Sequence, residues 1–73
     1  MTYIVYAGIF NSTECYFDDY YVERHFLGEY PDSDIANCVA EYLNYVKQYD
    51  DIFYCTCSRD IAEKIGVRNL PLN

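Results

Sequence analysis

Carboxylates and phenols gather in three short stretches of this chain: Asp18-Asp19-Tyr20-Tyr21 with Glu23, Glu29-Tyr30-Pro31-Asp32-Ser33-Asp34, and Tyr49-Asp50-Asp51. A carboxylate pairs with Arg or Lys through charge-assisted hydrogen bonds, and a tyrosine supplies the large anchor that makes an interface specific. Brought to one surface, such groups would imitate a phosphate backbone, which carries one charge per ~1.7 Å of duplex axis. Acids also collect at helix N-termini as caps. That role accounts for Asp32 and Asp34 but not for Asp18, Asp19 or Glu23. The candidate partner-binding residues are therefore Asp18, Asp19, Tyr20, Tyr21, Glu23, Glu29, Asp32 and Asp34, directed at a basic protein or ribonucleoprotein complex. The D-x-D-x-D-G spacing of a calcium loop is absent.

Cys55 and Cys57 are the other residues with chemical potential. Two positions apart on a strand, they point to one face and could offer two thiolates to a metal, with Cys15, Cys38 or His25 completing the set. Structural zinc sites instead place two to four residues between paired cysteines, in turns, and a disulfide across one strand residue is strained. Buried, reduced thiols are the preferred reading. His25 is the only histidine, and no nucleophile elbow, phosphate loop or His-Glu-x-x-His accompanies it. No catalytic residue, metal or cofactor is expected.

Composition points the same way. Seventy-three residues make one domain, with little room for a pocket of the ~300–1,000 Å³ that small ligands fill. With 52% apolar and 19% aromatic residues, the chain folds. Its ten tyrosines outnumber the phenols a core this small can satisfy, so several must reach the surface. Residues 1–54 hold ten acids against two bases, a balance of −8, while residues 55–73 come to +1. Direct nucleic-acid binding is disfavoured by that charge, and basic partners are favoured. The start, Met1-Thr2-Tyr3-Ile4, lacks a basic signal-peptide region, and no apolar run reaches the ~18 residues of a membrane span. A cytoplasmic protein with reduced cysteines is expected.

These groups must be held by few elements. Tyr3–Phe10 is apolar on both faces and reads as a central buried strand, with Gly8 marking a bulge or the close approach of a neighbour. Glu14–Leu27 is compatible with helix or strand, and a hairpin partner for the first strand is preferred. Gly28–Ser33 reads as a loop. Asp32 or Ser33 caps a helix over Asp34–Tyr49, with Ile35, Cys38, Val39, Tyr42, Val46 and Tyr49 as its inner stripe and Asn37, Glu41, Asn44, Lys47 and Gln48 in water. Ile52–Cys57 is a second buried strand. Ser58 caps a short helix through Ile65 that turns Ile61, Ala62 and Ile65 inwards and ends at Gly66. The expected fold is α+β: a small sheet of two to three strands packed against two or three helices, with the helices on one face. An exposed sheet edge with surface aromatics makes a homodimer possible.

Residues 52–71, IFYCTCSRDIAEKIGVRNLP, resemble the strand–helix segment that leads to the cis-proline of thioredoxin-fold proteins, above all the redox-inactive domains of protein disulfide isomerases. With no Cys-x-x-Cys, that resemblance implies a redox-inactive fragment. In general character the chain also resembles the short, acidic, tyrosine-rich anti-CRISPR and anti-restriction proteins of phages and mobile elements. This second resemblance implies an inhibitor in the cytoplasm of a host cell, occluding a basic nucleic-acid-binding site, by DNA mimicry or by steric cover. A non-catalytic structural or adaptor domain is the alternative.

Overall fold

Strand β1, Tyr3–Phe10, runs through the middle of a three-stranded antiparallel sheet in a computed structural model that describes residues 1–10 and 21–71, apart from the side chains of residues 10, 21 and 22. On one side it pairs with β2, Tyr21–Tyr30, and on the other with β3, Ile52–Ser58. Helix α1, Ser33–Val46, joins β2 to β3, and α2, Arg59–Ile65, follows β3 directly. The architecture is α+β, as expected.

The expectation of helices on one face is corrected. Neighbouring strand residues point to opposite faces, and Ile4 and Val5 are both fully buried. Ile4 and Tyr6 pack with Ala62 and Val67, beside Phe26, Cys55, Cys57 and Leu70. Val5 packs with Ala36 and Ala40, beside Tyr3, Tyr30, Leu43 and Tyr54. Thus α2 and the chain after it cover one face while α1 covers the other. A strand apolar on both sides leaves no stable alternative, because either face left bare would expose Ile or Val to water.

The second expected element is a strand, and it extends beyond its expected end. Gly28–Ser33 is not a loop throughout, since β2 continues to Tyr30, opposite Tyr3. Val5 faces Gly28 and Tyr6 faces Phe26, which leaves Leu27 as an extra residue on β2. Such a bulge swaps the faces of the residues on either side, and this breaks the simple alternation in the sequence. It lies on β2 rather than at Gly8. Gly28 has its own steric reason: a Cβ there would lie 2.8 Å from the Tyr30 hydroxyl oxygen and 2.9 Å from its ring.

Both helix starts match their local signals. Asp32 caps α1, its carboxylate accepting from the Asp34 N–H at 2.7 Å. Ser58 caps α2 by accepting from the Ile61 N–H at 3.4 Å. Gly66 ends α2 in the left-handed region at φ 76°, where a side chain would be strained. Arg24 reaches across from β2 to donate to the Ile65 carbonyl at 3.4 Å, a cation at the negative end of the helix.

The inner stripe of α1 is a larger correction. The buried positions are Ala36 and Ala40, flanked by Val39 and Leu43. Ile35, Cys38, Tyr42, Val46 and Tyr49, all expected inside, are exposed. The expected wet face is in part turned towards β3. Asn44 donates to the Tyr54 carbonyl at 2.9 Å and accepts from the Tyr54 N–H at 2.8 Å. Lys47 donates to the Ile52 carbonyl at 3.0 Å, and Asn37 accepts from the Thr56 hydroxyl at 2.7 Å. The outer edge of β3 therefore finds the Asn44 amide and the Lys47 ammonium where a fourth strand would lie, one of the ways an edge is protected from pairing with another chain. Alanines let the helix approach the bulky Tyr3, Tyr30 and Tyr54 closely enough for those groups to reach. The helix also ends at Val46, short of Tyr49. In α2, Ile61 is exposed although expected inside, and Val67 fills that place in the core. No helix among the described residues is long and apolar enough to cross a membrane.

Candidate functional site

Four of the eight candidate binding residues, Glu23, Glu29, Asp32 and Asp34, have side chains that the structure describes. Asp18, Asp19 and Tyr20 lie outside the described residues, and Tyr21 is the first residue of β2. Glu23, Glu29 and Asp32 are placed, and each already serves the fold. Glu23 accepts from His25 Nε2 at 3.0 Å and pairs with Arg68 Nη1 at 3.4 Å. Glu29 accepts from Arg59 Nη1 at 3.1 and 3.2 Å and from the Thr2 hydroxyl. Asp32 is the α1 cap, and Asp34 stands exposed in the first turn of that helix.

The two glutamates fasten the chain ends to the sheet. Arg59 is mostly covered, donates also to the Pro71 carbonyl, and its own N–H donates to the Thr2 carbonyl at 3.1 Å. Arg68 lies along the outer edge of β2: the Phe26 N–H donates to its carbonyl at 2.9 Å, and its N–H donates to the Arg24 carbonyl at 2.7 Å. A partner's arginine would compete with these cations for Glu23 and Glu29.

Those contacts set a pH response. The hydrogen bond from His25, then the charge of Arg68, hold the Glu23 carboxyl below its ordinary value of 4.5. The Thr2 hydroxyl, followed by Arg59, does the same for Glu29. Groups with depressed folded values stabilise above the ordinary carboxylate range and lose that contribution as pH falls through the lowered values. Burial, with the neighbouring Cys55 and Cys57, pushes the Tyr6 phenol up from 10.0 to about 12. Its contribution is present below 10 and lost as pH rises through about 12. The melting temperature is accordingly expected to stay level around neutrality, to fall once pH drops below about 4.5, and to fall again above 10. Scanning fluorimetry across pH checks this, and Glu29→Gln should blunt the acid limb. An acid limb identical in Glu29→Gln and wild type would refute the assignment to Glu29.

Cys55 and Cys57 sit beside Tyr6 under α2. Burial, and then the neighbouring Cys55, push the Cys57 thiol up, which favours its protonated form. Among the described residues, no group of three or more His, Cys, Asp or Glu side chains is placed to hold a metal ion. An open groove of about 360 Å³ lies between Met1, Thr2, Glu29, Arg59, Asp60 and Glu63, and its one arginine is the one bound to Glu29.

Among the described residues, the outer side of α1 and the segment just after it stand exposed. Tyr42 is 65% exposed, Tyr45 88% and Tyr49 64%. Asp34 and Glu41 stand exposed on the same helix, and Asp50 and Asp51 just past its end. Lys47, the nearest base, is held by the Ile52 carbonyl with its ammonium 3.5 Å above the Phe53 ring. Asp34 and the Tyr49-Asp50-Asp51 stretch belong to the expected acidic and tyrosine clusters, whereas Glu41, Tyr42 and Tyr45 do not. Glu41 is exposed as expected of the wet face but is not among the binding candidates, and Tyr45 is assigned to neither face of the helix. The 3-4-3 recurrence of Ile35, Cys38, Tyr42 and Tyr45 is the signal that would have found a second stripe.

No protein family, characterised protein or solved structure compared with this chain matches it. The strand and helix that the thioredoxin-like segment implies are present as β3 and α2, but no peptide bond among the described residues is cis.

Proposed function

We propose that this chain works by binding: it is a small inhibitor that seats on a basic, nucleic-acid-binding site of a host defence complex, in the manner of anti-CRISPR and anti-restriction proteins. The observation that carries the reading is the outer side of α1, where Tyr42 and Tyr45 stand in solvent beside Asp34 and Glu41. Exposed aromatics are costly in water and form the hot spots of interfaces, and acidic neighbours select a basic partner. Steric cover is better supported than DNA mimicry. A mimic needs rows of free carboxylates, whereas those of Glu23 and Glu29 already hold Arg68 and Arg59.

The test uses purified CRISPR effector complexes and restriction endonucleases with labelled nucleic acid. At low salt the chain should displace nucleic acid from at least one of them, and high salt should restore binding. The quadruple reversal Asp34→Lys, Glu41→Lys, Asp50→Lys and Asp51→Lys should weaken inhibition at least tenfold. Undiminished inhibition by that variant would remove the charge argument. Failure to displace nucleic acid from any complex would leave an adaptor domain as the better reading.

A further inference from the structure

The outer side of α1 is regular as well as exposed. Ile35, Cys38, Tyr42 and Tyr45 recur at intervals of three, four and three residues, the a/d spacing of a helix that packs along another helix. All four are exposed, and Val46 beside them is too. At about 100° per residue, their stripe lies roughly 150° around the helix from the Ala36, Ala40 and Leu43 stripe that packs on the sheet. This helix thus carries two apolar seams, of which the described residues cover one. Tyr42, Tyr45 and Tyr49 alone leave roughly 300–500 Å² of side-chain surface bare, at the upper end of what a monomer shows without a use for it.

Charge decides what would cover the seam. Asp34 and Glu41, one heptad apart, line a single flank, and Gln48 continues the row. Asp50 and Asp51 add two exposed carboxylates beyond the helix end. A second copy would bring the same acids and the same net charge of −7. In an antiparallel self-pair that sets Ile35 against Tyr45, the two Glu41 side chains fall opposite one another. Like charges so placed repel, which argues against self-association through this face.

We propose that α1 is a helix-docking surface whose occupant is a basic amphipathic helix, apolar at a and d, with Lys or Arg along the flank that meets Asp34 and Glu41. The inference rests on the inhibitor reading and specifies how that site meets its partner: the target would offer a surface helix, and the inhibitor would pack along it rather than imitate a duplex.

The experiment uses the full chain and two synthetic helical peptides of about three heptads, long enough to hold helix. Both carry Leu at a and d. One has Lys at e and g, the other Glu. Fluorescence anisotropy is expected to show the Lys peptide binding at least tenfold more tightly than the Glu peptide. Tyr42→Ser/Tyr45→Ser should lose at least tenfold in affinity while keeping the wild-type far-UV dichroism, and Ile61→Ser on α2 should bind as wild type. Equal binding of the two peptides, or wild-type affinity in the double tyrosine variant, would overturn the proposal. So would a dimer in sedimentation that Tyr42→Ser/Tyr45→Ser dissolves, because the occupant would then be a second copy. The two readings fail separately. If the double tyrosine variant still displaces nucleic acid from a defence complex, inhibition stands and this docking face does not. If the Lys peptide binds through the tyrosines and no complex is inhibited, the docking face stands and the inhibitor reading does not.

Discussion

Replacing Asn44 by leucine is expected to destabilise the protein by about 2–4 kcal/mol and to make it self-associate. The Asn44 side chain gives one bond to the Tyr54 carbonyl and receives one from the Tyr54 N–H. Its amide therefore stands in for a peptide unit of a neighbouring strand. Leucine has a similar volume and neither group, so both backbone partners in β3 are orphaned. Each unsatisfied group costs about 1–3 kcal/mol where water reaches it poorly. Domains are stable by only about 5–15 kcal/mol, and one this small sits low in that range. The urea midpoint should fall sharply in the variant. Asn44→Asp keeps an acceptor for the Tyr54 N–H but sets a carboxylate against the Tyr54 carbonyl, so it should recover only part of the loss. The freed edge of β3 also becomes a template for another chain, and sedimentation should show oligomers that grow with concentration. A midpoint unchanged from wild type would show that the amide does not carry the edge.

Ala36→Leu and Tyr42→Ser should differ widely in effect, in the opposite order from the one the apolar pattern of α1 suggests. Ala36 is fully buried against Val5, itself fully buried, between helix and sheet. Three more carbons there must push α1 away from β1. Overpacking of this kind costs roughly 1–3 kcal/mol, and the upper end is expected because the same movement stretches the Asn44 and Lys47 bonds to β3. Tyr42 is 65% exposed, and substitutions at such positions change stability by only about 0.5 kcal/mol either way. Urea unfolding of the two variants measures both. If Tyr42→Ser costs as much as Ala36→Leu, the helix is turned the other way and the docking face is lost with it.

Much of the frame was legible in local chemistry. Tyr3–Phe10 could only be a central strand, because apolar residues on both faces of a strand need cover on both. The same fact requires cover on opposite faces of the sheet, which α1 and α2 supply. Asp32, Ser58 and Gly66 marked their helix ends, since capping depends on one side chain and the backbone within a turn of it. The abundance of tyrosine implied phenols at the surface, and Tyr42 and Tyr45 are there. The rotation of α1 was not legible. The helix has one stripe of small residues and one of bulky ones, and hydrophobicity favours the bulky stripe as the core. The sheet face decided otherwise: Tyr3, Tyr30 and Tyr54 fill the interlayer space, so the helix must present alanine, and the open edge of β3 draws Asn44 and Lys47 towards it. The roles of Glu23 and Glu29 were likewise settled only by tertiary structure. Their partners, Arg68 and Arg59, come from the far end of the chain, and pairing across such separations follows from the sheet register and the path after α2, which no local pattern encodes.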